Sequence, residues 1–140
     1  MPKKSNDELM ELALHYVKAA EQDAQENPTS DSIQIVIVEP MKKPYKKTIP
    51  NTLEAMNEIV GGYIEIVRIG RTKTGAEMAI TLNEEGKLIG LPFNRRIMKF
   101  DILVGTFFIT AYNMVGDNIS LPDEECEKLI RSFTPLEIYL

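Results

Sequence analysis

The chain has 140 residues, 44% of them hydrophobic, which suits one globular domain with a modest core. Its net charge of −5 and pI near 5.0 argue against a general nucleic-acid coat, which needs a basic surface to displace counterions, but leave room for a local basic patch. No apolar run reaches the roughly 20 residues that span a bilayer. The start, MPKKSNDELMELALHYVKAA, lacks the uninterrupted apolar core of a secretory signal, so a cytoplasmic protein without membrane attachment is expected.

In chain order, Ser5 and Glu8 form the S-x-x-E pattern of a capping box. Leu9, Leu12, Ala13, Tyr16, Val17, Ala20 and Ala24 follow at three- and four-residue steps, predicting an amphipathic helix within residues 1–27 that stops before Pro28. Polar residues 28–32 read as a linker. The helix either docks on the body or pairs with a second copy as a homodimer. Residues 33–140 read as the main domain. Ile33 to Val38 is a β-branched run closed by Pro40, a buried strand, and KKPYKKTI continues as an edge or hairpin strand. Asn51 with Glu54 predicts a capped helix that turns Leu53, Met56 and Ile59 or Val60 inward and ends at Gly61 or Gly62.

Tyr63 to Ile69 alternates as a strand, with Tyr63, Glu65, Val67 and Ile69 on one face and Ile64, Ile66 and Arg68 on the other. A GRTKTG turn leads to a second strand, Ala76 to Leu82. NEEGK reads as a tight turn, and in GLPFNRR the bend at Gly90 and Pro92 predicts an exposed loop carrying Phe93, Asn94, Arg95 and Arg96. DILVGTFFITAY reads as one strand with a bulge or close approach at Gly105, and NMVGDNISL as a turn into a short strand. Ser120 with Asp123 predicts a last helix to about Arg131, with Pro122 in its first turn, before a tail, TPLEIYL, that suits a strand. The expected fold is α+β: a single small domain with a largely antiparallel sheet packed by two helices, plus the extra N-terminal helix.

Catalytic chemistry finds little support. Cys126 is the one cysteine, so neither a disulfide nor a thiolate zinc site is expected. Its acidic neighbours raise a thiol pKa, and its register with Leu129, Ile130 and Phe133 predicts core packing. His15 is the one histidine and has no partner motif. No metal, no cofactor and no enzymatic activity are expected. GRTKTG lacks the order of a phosphate loop, and Glu84 and Glu85 point apart on a turn.

Two segments suit binding. KKPYKK sets Lys42, Lys43, Lys46 and Lys47 around Pro44 and Tyr45. Such lysines hold phosphates beside a stacking ring, although protection of a sheet edge explains them better. In GLPFNRR, an arginine beside an amide and a ring suits a carboxylate or phosphate, and pairing with the acidic last helix accounts for the arginines equally well. Asp117, Asp123, Glu124, Glu125 and Glu127 read as a solvated face near a helix start.

IVIVEPMKKPYKKTIPNTLEAMNEIVGGYIE, NEEGKLIGLPFNR, DILVGTFFI and GDNISLPDEE together resemble the domain of unknown function 3846 family, over roughly Ile33 to Phe133. The resemblance implies a small protein encoded by phages or mobile elements of Gram-positive bacteria and transfers no catalytic residue. It emphasises Glu39, Lys43, Tyr45, Asn94 and Arg95 beyond the turn and cap residues. With Phe93 these are the candidate ligand- or partner-contacting residues. The expected function is a non-enzymatic accessory protein that binds a host or phage macromolecule, foremost a protein. The alternative is capture of a small anionic ligand, such as a signalling nucleotide in counter-defence, with KKPYKK and GLPFNRR lining one pocket. Nucleic-acid binding ranks last.

Overall fold

A strand covered on both faces reads as an unbroken apolar run rather than an alternation, and Ile33 to Val38 is such a run. In the computed structural model, which describes residues 3–97 and 101–139, it forms the interior strand β1 (Ser32–Val38). Odd positions Ile33, Ile35 and Ile37 join Phe108, Ile49, Met56 and Val60 in one core. Even positions Val36 and Val38 join Ile80, Phe107, Ile109, Leu129 and Phe133 in another.

The main sheet continues with β2 (Tyr45–Pro50), β3 (Ile64–Arg71), β4 (Glu77–Asn83), β7 (Phe107–Tyr112) and the short β8 (Asn118–Ile119). Its order is β2-β1-β7-β4-β3, with β8 also beside β7, and every pairing in it is antiparallel. Helix α2 (Leu53–Val60) brings Met56 and Val60 to the first core. On the opposite face lie α3 (Asp123–Phe133) and a second sheet, β6 (Asp101–Val104), β5 (Phe93–Ile97) and β9 (Glu137–Ile138), in the order β6-β5-β9. The β5–β9 pairing is parallel. The fold is α+β with a mostly antiparallel sheet, as the patterning indicates.

Helix α1 (Asn6–Glu26) has the Ser5–Glu8 capping box in full. Its C-terminal end is tied to the β7–β8 turn: Asp23 Oδ2 accepts from the Met114 N–H at 2.7 Å, and Asn113 Nδ2 donates to the Asn27 carbonyl at 3.0 Å. Ala20 is the buried residue of this helix, while Leu9, Leu12, Tyr16 and Val17 stay exposed.

Four local expectations are corrected. The α2 cap is Thr52, whose hydroxyl accepts from the Ala55 N–H; Asn51 instead donates to Thr29 Oγ1 and the Ser30 carbonyl, tying down the approach to β1. The α3 cap position is Pro122, without a side-chain bond, because Ser120 Oγ is taken by the Gln34 N–H at 2.9 Å. DILVGTFFITAY is two strands in different sheets, hinged at Gly105, whose φ is 72°. GLPFNRR is not an exposed loop: Phe93–Ile97 is β5, paired with β6.

Candidate functional site

The first candidate segment is the β1–β2 turn. It closes with the Lys42 N–H on the Glu39 carbonyl at 3.2 Å and holds Met41 at φ 62°, a left-handed conformation uncommon for a side-chain-bearing residue. Glu39 is half-buried, while Lys43 and Tyr45 are exposed. Partial burial, then the Glu39 charge, raise the Tyr45 phenol pKa. Along β2, Lys46 Nζ pairs with Asp123 Oδ1 at 3.3 Å across exposed surface, where solvent and salt screen the attraction.

The second segment lies beneath that turn. Asn94 is buried and Arg95 is 1% exposed. Asn94 Nδ2 donates to the carbonyls of Val38 at 2.9 Å and Gly105 at 2.7 Å. Arg95 Nε donates to the Phe133 carbonyl at 2.8 Å, Nη1 to Asn94 O and Oδ1 at 3.0 and 2.8 Å, and Nη2 to the Lys42 carbonyl at 2.6 Å. A buried charge requires compensation, and no carboxylate pairs with this one among the described residues. The compensation is dipolar: Phe133 ends α3, where unsatisfied carbonyls concentrate partial negative charge. Burial lowers the Arg95 pKa, yet an arginine remains protonated at neutral pH.

The two segments do meet, but through a buried clamp that fixes the turn. They do not meet as a basic concavity. Asn94 Nδ2 and four of the five Arg95 N–H donors are committed to main-chain and neighbouring oxygens. Phe93 is partly exposed opposite Val104.

Cys126 is fully buried in the second core. Burial first, then nearby acids, push its thiol pKa up to about 11, so only about one part in a thousand would be thiolate at pH 8. Ellman's reagent is therefore expected to leave the native thiol unmodified for hours and to titrate one thiol per chain on unfolding in guanidinium.

A surface without a recognisable sequence motif lies at the other end of the main sheet. The two edges differ. β2 carries Lys46, Lys47 and Pro50, with Lys42, Lys43 and Pro44 just before it, features that keep strands from pairing. β3 has no lysine and exposes Ile66 (49%) and Val67 (39%). Beside it are two adjoining hollows. One, of about 290 Å³, is lined by Val67, Ile69, Ile80, Ile97 and Leu103. The other, of about 160 Å³, includes Glu65, Leu82, Glu84, Leu88 and Ile102. Both share Val67, Asp101 and Leu103. Leu88 is 87% exposed, and Ile89 and Ile102 are also open to solvent. Aliphatic residues inside a polar turn, KLIGL, were the sequence signal for this patch.

Among the described residues, no group of three His, Cys, Asp or Glu could hold a metal ion, and no helix is long and apolar enough to cross a membrane. These features describe a small α+β domain with one guarded and one open sheet edge. The family model Domain of unknown function (DUF3846) matches residues 33–134, and the chain belongs to that family. The match takes in both sheets except β9, as well as α2 and α3, and excludes α1. No curated protein and no solved structure matches the chain.

Proposed function

We propose that this protein is a non-enzymatic accessory factor of a phage or mobile element, acting in the host cytoplasm by binding another protein. The observation that carries the reading is the exposed aliphatic band of Val67, Leu88 and Ile102 around the hollows beside β3. A small domain that leaves aliphatic side chains contiguous at a sheet edge gains from covering them. The reading as a receptor for small anions loses support, because Arg95, its best anion-gripping group, already donates to carbonyls.

Site-specific photocrosslinking tests the reading. With p-benzoylphenylalanine in place of Leu88, a discrete adduct is expected in host extract and should be competed away by excess unlabelled protein. The same probe in place of Lys47, on the guarded edge, should give none. Absence of an adduct at Leu88, or equal labelling at both positions, counts against the reading.

A further inference from the structure

We propose that β3 is a strand-addition site for an extended segment of a partner protein that carries basic and aliphatic side chains. This deepens the protein-binding reading and rests on it. Three observations support it.

The first is the hydrogen-bonding edge. β3 is the terminal strand of its sheet and pairs with β4 on one side, so among the described residues no strand takes up its outer main-chain groups, which suit a further strand. Register shifts between Arg68 and Gly70. That irregularity limits regular addition to Ile64 through Arg68.

The second is the position of the hollows. Glu65 and Val67 project to the β6 side of the sheet, where both hollows lie. Ile66 projects to the other side, which α2 partly covers, and remains half exposed. Side chains of an added strand alternate in the same way, at about 6.7 Å between same-face positions. A guest aliphatic opposite Val67 would enter the hollow over Leu103, and one opposite Ile66 would cover Ile66 itself. Main-chain bonds supply affinity in this mode and alternate side chains supply selectivity.

The third is charge. Around the hollows Arg68 pairs with Glu77 at 3.4 Å and Lys87 with Asp101 at 3.0 Å. Glu65 and Glu84 line the second hollow and have no ion-pair partner among the described residues. Among the described residues the rim is therefore left with two uncompensated carboxylates. A lysine or arginine opposite Glu65 matches them, and an acidic guest is repelled.

The probe is the capped heptapeptide TKIVIKT, which presents a lysine two residues from its central valine in either strand direction. The full-length protein is expected to bind it at micromolar Kd and to protect the amides of residues 64–68 from hydrogen exchange. Binding should weaken about 10-fold or more for TEIVIET, and by a similar factor for the Glu65→Lys/Glu84→Lys double variant. Both substituted side chains are exposed, and an unchanged melting temperature would verify that the variant folds. N-methylation of alternate peptide bonds should abolish binding, because it removes donors while keeping side chains.

Three results overturn the inference: no binding of TKIVIKT at about 1 mM, binding indifferent to N-methylation, or a concentration-dependent dimer dissolved by Val67→Lys, which makes the occupant a second copy. If the Leu88 adduct persists in any of these cases, only the strand-addition mode has failed. If it is also absent, the protein-binding reading falls with it.

Discussion

Replacing Arg95 with methionine is expected to cost about 3–5 kcal/mol of folding stability, read as a lower urea midpoint and a melting temperature lower by on the order of 10 °C. The guanidinium supplies four hydrogen bonds to three chain segments: the β1–β2 turn at Lys42, β5 at Asn94 and the end of α3 at Phe133. Hydrogen bonds to a charged group contribute about 1.5–3 kcal/mol each, and burying the charge offsets part of that sum. Methionine fills much of the volume, so the loss would report the polar network rather than a void. Arg95→Lys should recover less than half. An ammonium is a point charge that cannot reach oxygens spread around a planar fork. A methionine variant within about 1 kcal/mol of the parent would show that the clamp contributes little.

Gly105→Val is expected to cost about 2–5 kcal/mol, from left-handed strain of about 1–2 kcal/mol added to overpacking of about 1–3 kcal/mol. Gly105 sits at φ 72° between β6 and β7. A Cβ there would lie 2.6 Å from Leu91 Cδ1 and 3.3 Å from Leu91 Cβ. The residue is also fixed through its main chain, with its N–H on the Pro92 carbonyl at 2.7 Å and its own carbonyl accepting from Asn94. Gly61 is the control: its φ is 76°, and nothing lies within 4 Å of its Cβ position. Gly61→Ala should cost about 1–2 kcal/mol from the backbone alone. Equal urea midpoints for Gly61→Ala and Gly105→Val would remove Leu91 contact from the account.

Where local chemistry decides the conformation, the sequence is readable. Ile33 to Val38 announces a strand buried on both sides, the alternation from Tyr63 announces β3 with Ile64 and Val67 on opposite faces though Arg68 borders the same hollow as Val67 and Ile69, and Ser5 with Glu8 caps α1. Gly105 is recognisable as unusual, but an unbroken run of strand formers hides that the chain changes sheets there. Asn94 and Arg95 were the hardest to place. A buried arginine answered by carboxylates leaves those acids visible in the sequence. This one is answered by carbonyl oxygens, which every residue possesses, from positions 38 and 53 residues away. Its interior role therefore has no signature in composition or spacing. The apolar surface near β3 is hidden for a related reason: Leu88 and Val67 look like core residues until the tertiary arrangement shows that nothing among the described residues covers them.

The parallel partner of β5 is β9, at residues 137–138, and the Arg95 clamp needs the carbonyl of residue 133. A nascent chain emerging from the ribosome therefore reaches β5 some forty residues before it can close the small sheet or satisfy the guanidinium. Through that interval the guanidinium still lacks its α3 acceptor, and the final lock of this fold is set only near the end of the 140-residue span.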